Sequence, residues 1–154
     1  MKNTSHKGQT LVEMLIALGI LVMLLSSAVA LVSSTLHNAQ AVTSETQATK
    51  YAQEGMEIVH QIRDTNYVGF RKYSGTYCLG QNQTTLGSAV VSCTSANVGN
   101  FIRSVQIQQN GCGNTIAKIS VIVAWQDSKC SGNTYCQNVP LVSCLTTVNP
   151  IPAP

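Results

Sequence analysis

The chain of 154 residues is 44% apolar and 10% charged, with a formal net charge of +3 and six cysteines. That length allows one modest domain with an appendage and excludes two independent cores. The composition is that of ordinary globular or membrane-associated protein, so the placement of charge says more than its total.

Lys2 and Lys7 lie ahead of residue 9 with no acid beside them, and Glu13 is the sole charge from residue 9 to residue 32. Between residues 33 and 67, Glu45, Glu54, Glu57 and Asp64 outnumber Lys50 and Arg63. From residue 68 onward Arg71, Lys72, Arg103, Lys118 and Lys129 face only Asp127, a balance of +4.

The first predicted element is an apolar helix. Residues 10–32 carry no charge except Glu13, and at about 1.5 Å per residue they can cross a hydrocarbon core of roughly 30 Å. Lys2 and Lys7 precede this run and no further Lys or Arg follows until Lys50. The positive-inside rule therefore puts Met1 in the cytoplasm and the cysteines outside.

Three readings compete for this terminus. A secretory signal has an apolar core of about 7–15 residues before a small-residue cleavage site. Ala28-Val29-Ala30 supplies such a site and predicts a mature start at Leu31, but the run is long and Glu13 interrupts it. A plain signal anchor fits the length and leaves the carboxylate unexplained. A charge at membrane depth costs about 2.5–3.5 kcal/mol on insertion scales, which marks Glu13 as functional. The bland alternative puts it at the headgroup boundary, where a first helical turn welcomes an acid.

The third reading rests on a resemblance. Lys7-Gly8, then Gln9-Thr10-Leu11-Val12-Glu13 and an apolar helix, resemble the class III leader of type IV pilins and of the pseudopilins of type II secretion. The resemblance implies that a prepilin peptidase cuts after Gly8 and methylates the new terminus at Gln9. It makes Glu13, the fifth mature residue, the group that meets the N-terminal amine of a neighbouring subunit, so that a costly lone charge becomes a register device once paired. Its further partners are other pilin subunits, in a homo- or hetero-filament, and an inner-membrane platform driven by a cytoplasmic ATPase. The subunit would wait in the bacterial inner membrane, Met1 side in the cytoplasm and head outside, and then join an extracellular or periplasmic filament.

Gln9 departs from the family pattern, which has phenylalanine or another apolar residue there. A free N-terminal glutamine can cyclise and lose the amine that Glu13 needs; methylation is expected to protect it. The alternative is a signal-anchored or secreted, disulfide-stabilised surface-binding protein that never polymerises.

Helical periodicity continues beyond the membrane. Leu36, Ala39, Val42, Ala48, Ala52, Met56, Val59 and Ile62 recur at intervals of three, four or six, and no proline interrupts residues 10–66. One helix of about 85 Å is allowed, and Asp64-Thr65-Asn66 and Gly69 end it. Its last part, YAQEGMEIVHQIRDTNY at residues 51–67, resembles minor pilins and pseudopilins more than major ones. His60 reads as a helix-face residue, since no second His or Cys lies a turn away.

After Gly69 the period changes to two. FIRSVQIQQ puts Phe101, Val105 and Ile107 on one face, and KISVIVAW does the same for Ile119, Val121, Val123 and Trp125. VPLVSCL at residues 139–145 is a third strand, where Pro140 calls for an edge position or strand start. The turn-rich QDSKCSGNTYCQN before it predicts an antiparallel hairpin. The expected fold is α+β: a long helix at about residues 10–66, its first half transmembrane, its distal half packed on a small antiparallel sheet. The chain divides into a leader at 1–8, a membrane and filament-core helix at 9–32, its outer half at 33–67, a β head at 68–149 and a proline-rich tail at 150–154.

All six cysteines fall in the head, and an even set in a small domain reads as a disulfide framework in an oxidising compartment. A head of this size needs such staples. Cys130 and Cys136 bracket the hairpin loop and form the first expected pair; Cys78 with Cys93 is second, and Cys112 with Cys144 remains by elimination. Six cysteines allow 15 connectivities, so the last two pairs stay open. There is no Cys-x-x-Cys for a metal, no cofactor site is expected, and after Asp64 the chain offers only Asp127 as an acid and no histidine to activate a serine. The reading is therefore not an enzyme. Binding of DNA or an anionic surface by the basic head is a minor expectation, because aromatic residues are sparse.

Overall fold

The computed structural model describes residues 9–127, 130–132 and 135–146. The leader 1–8, Lys129 and the tail 150–154 lie outside the described residues. In chain order the elements are α1 (Gln9–Thr65), α2 (Tyr67–Phe70), β1 (Gly75–Cys78), β2 (Ile102–Gly113), β3 (Ile116–Trp125) and β4 (Gln137–Thr146). The chain forms two compact units, Met1–Val42 and Thr43–Pro154.

In the first unit α1 is helical without interruption and its apolar side chains, Leu15 and Leu21 among them, are exposed all round. An 18-residue window here reaches a mean hydropathy of 2.8 with none of it buried. A helix apolar on every face suits hydrocarbon, provided its few polar groups are satisfied internally. The hydroxyls of Ser26, Ser27 and Thr35 do this by donating to the carbonyls of Met23, Leu24 and Val32 at 2.8–2.9 Å.

The second unit holds the core. On α1, Ala48, Ala52, Met56 and Val59 form a buried stripe at helical spacing. It packs with Phe101, Val105 and Ile107 of the β2 side, with Ala117, Ile119, Val121, Val123 and Trp125 of β3, and with Tyr77, Leu79, Leu86 and Leu145. The small residues on the helix allow close approach. A Cβ on Gly55 would lie 3.0 Å from both Arg103 Cδ and Val121 Cγ1.

α1 stops where the cap residues predict. Asn66 donates its N–H to Ile62 O, and its side chain accepts from Gly69 N at 2.8 Å, starting the single turn α2 that buries Phe70. The sheet order is β1-β2-β3-β4, antiparallel throughout, so β4 with Pro140 is an edge and β3–β4 is the expected hairpin. β2 and β3 form a second hairpin whose ladder is broken by a bulge between Gln108 and Gly113, with Asn110 and Thr115 at φ of 62°. Gln109 Nε2 donates to Phe70 O and Tyr73 O and ties α2 to the sheet.

Three disulfides join Cys78 to Cys93, Cys112 to Cys144 and Cys130 to Cys136. They hold, respectively, the loop after β1, the bulged β2–β3 tip against β4, and the β3–β4 loop.

Two features depart from the sequence expectation. The four-residue β1 was absent from it, being too short to show a period. The inward face of β2 includes Arg103, fully buried between Phe101 and Val105. The +4 balance of the head is thus not all surface charge, because this cation is spent inside the fold.

Candidate functional site

The sequence points to the start of α1, and the structure gives that region a simple geometry. Gln9 opens the helix; Gly8 lies outside the described residues. Glu13 follows Gln9 by four positions, so the two share a face one turn apart. Around the carboxylate, Val12, Ile16, Ala17 and Ile20 line a shallow apolar hollow with it. Ile16, Ala17 and Ile20 sit three, four and seven residues on, the spacing of one helix stripe.

Glu13 has no hydrogen-bond or ion-pair partner among the described residues. A carboxylate in this setting is worth a partner: on an apolar stripe, with hydrocarbon as the surrounding medium, pairing with a cation offsets much of its desolvation. The nearest amine in covalent terms is the one that cleavage after Gly8 would create on Gln9. Helical residues from Leu11 to Leu36 add no Lys, Arg or His that could serve instead.

The other predicted residues fall elsewhere. The six cysteines are all in the second unit, joined as described. His60 is half-buried on α1, and among the described residues no three His, Cys, Asp or Glu side chains gather as a metal site. The residue that sequence reasoning missed is Arg103. The signal for it was present: Phe101, Arg103, Val105 and Ile107 alternate without a break, and only the charge argued against including it.

Comparison with known families finds a match to the prokaryotic N-terminal methylation motif over residues 3–29. No curated protein and no solved structure matches the chain. The matched segment contains Gly8, Gln9, Glu13 and most of the exposed apolar helix, while the β head lies outside it. The chain thus carries at its N-terminus the prokaryotic methylation motif that is the signature of type IV pilins and pseudopilins, followed by a disulfide-bonded α+β head.

Proposed function

We propose that the chain is a structural subunit of a type IV pilus-like filament, a minor pilin or pseudopilin, cut after Gly8 by a prepilin peptidase and methylated at Gln9. The observation that carries this reading is the pairing of an exposed, all-round apolar helix with one unpartnered carboxylate five residues past Gly8, inside the matched motif. A membrane holds the helix until assembly. In the filament, helices of neighbouring subunits replace lipid around residues 9–32, and Glu13 of one subunit meets the Gln9 amine of another. The cytoplasmic Met1 side, the outward head, the platform and its ATPase belong to the same reading, which makes the chain a building element with no reaction of its own.

Glu13→Ala and Glu13→Asp variants, expressed in the native host, test it. Both are expected to insert in the membrane and to be cleaved. Glu13→Ala should be missing from sheared filaments, and Glu13→Asp should be reduced. Unchanged incorporation of Glu13→Ala would overturn the pairing.

A further inference from the structure

The second unit is acidic on its helix and basic beyond it. Glu45, Glu54, Glu57 and Asp64 lie on α1, while Arg71, Lys72, Arg103 and Lys118 follow it. Arg103 takes Glu54, and Arg63 takes Asp64. Glu45 on the helix, and Arg71 and Lys72 after it, are exposed and have no ion pair or side-chain hydrogen bond among the described residues. We infer that they meet between subunits: Arg71 and Lys72 of one copy dock on Glu45 of a second copy of this chain. The inference rests on the filament reading and names a contact within it.

The basic side is a built patch. Past the end of α2, Arg71 keeps helical φ and ψ of −62° and −18°, and the N–H groups of Arg71 and Lys72 donate to Tyr67 O and Gly69 O at 3.3 and 3.0 Å. Val68, 59% exposed, therefore shares a face with Arg71 and Lys72, three and four positions on. The turn is held from behind, because Phe70 is fully buried and Gln109 Nε2 donates to Phe70 O and Tyr73 O. Two adjacent cations with an apolar neighbour are thus fixed before any partner arrives.

Glu45 offers the matching surface. Thr49, one turn on, donates its hydroxyl to Glu45 O at 2.9 Å, which turns the hydroxyl toward the helix and leaves the methyl as the apolar counterpart of Val68. Lys50, five positions on, lies about 140° round the helix and leaves the carboxylate unneutralised. Glu57 is the competing acid, but the positions one turn from it, Gln53, Glu54, His60 and Gln61, give Val68 no apolar partner.

The placement of the two sides selects the partner. Thr65 ends α1 about 30 Å from Glu45, so the acid stands at one end of this stretch of helix and the bases follow the other. Unlike patches at opposite ends make a heterologous contact, which runs from copy to copy along a filament where a self-matching patch would close a dimer. An exposed ion pair contributes little affinity. Its role is to fix the register of copies displaced by about 30 Å along α1, while packing of apolar helices supplies the affinity.

Carbodiimide treatment of sheared filaments, which condenses a carboxylate with an amine in contact with it, tests the inference when followed by peptide mass mapping. A cross-link from Glu45 to Lys72 is expected in filaments and not in the full-length protein in detergent micelles. Glu45→Lys and Lys72→Glu should each lower incorporation into filaments by about fivefold or more, and the two together should restore it to within about twofold of the parent. Lys118→Glu, the same charge change on β3, should incorporate as the parent does, and all variants should keep the three disulfides. Filaments that hold the protein but yield no such cross-link, or that join Lys72 to Glu57 or to a different protein, would overturn the inference and leave the filament reading intact. A double variant that fails to recover, or an equal loss from Lys118→Glu, would do the same. Absence of the parent from filaments would overturn the filament reading itself, and this contact with it.

Discussion

Arg103 Nη1 lies 3.3 Å from Glu54 Oε1, with the arginine side chain fully buried and the glutamate side chain 43% exposed. The guanidinium also donates to Leu79 O at 3.0 Å, Tyr51 O at 3.2 Å and Gly80 O at 2.7 Å. Asn97 brackets its backbone through bonds of 2.7 and 2.9 Å. One side chain thus joins α1, β2 and the loop after β1; the carbonyls of Leu79 and Gly80 that it satisfies lie outside every helix and strand, while that of Tyr51 lies within α1.

Unequal costs follow for the two partners. Arg103→Met removes the donor to three carbonyls and should destabilise the head by about 3 kcal/mol. Glu54→Gln leaves those three bonds intact and removes a half-exposed, screened charge, so it should cost under about 1 kcal/mol. Thermal melts of the full-length protein in detergent measure both, and equal losses would show that the ion pair, not the carbonyl network, dominates.

Gly55 should resist replacement by alanine. Helix propensity favours Gly→Ala by about 1 kcal/mol, but the new Cβ would press on Arg103 Cδ and Val121 Cγ1 at 3.0 Å, and Arg103 is held by its four partners. The crowding should win by about 1 kcal/mol or more. A raised melting temperature for Gly55→Ala would show that Arg103 yields instead.

The disulfides should differ in worth. Cys112–Cys144 spans 32 residues and Cys130–Cys136 spans 6. In the chain-entropy account the first contributes about 4 kcal/mol and the second about 2. Paired Cys→Ser variants, compared by urea denaturation, should therefore rank Cys112/Cys144 as the more damaging loss. The reverse ranking would mean that the β3–β4 loop is needed for the fold of the sheet end itself.

The helix limits, the three long strands and the β4 edge were legible because each depends on local pattern: uninterrupted periodicity to Ile62, caps at Asn66, alternation at residues 119–125, a proline at 140. The N-terminal motif was legible for a related reason, since the match over residues 3–29 depends on covalent spacing alone. What was hidden depends on distant partners. Arg103 occupies an apolar register position only because carbonyls of residues 51, 79 and 80 converge there. β1 exists because four residues find β2, with Gly75 opposite Ile107 and Cys78 opposite Ser104.

Gln9 carries the chemistry that would undo the proposed pairing with Glu13. Once freed, its α-amine can attack its own side-chain amide, form a lactam and release ammonia, which would remove the cation proposed for Glu13. The most direct test is the intact mass and N-terminal peptide of the protein purified from its native membrane and from filaments. The expected chain begins at Gln9 with an N-methyl group and no lactam, and a Gly8→Val variant should retain residues 1–8. A chain beginning at Met1 or Leu31, or a pyroglutamate terminus in assembled filaments, would contradict it.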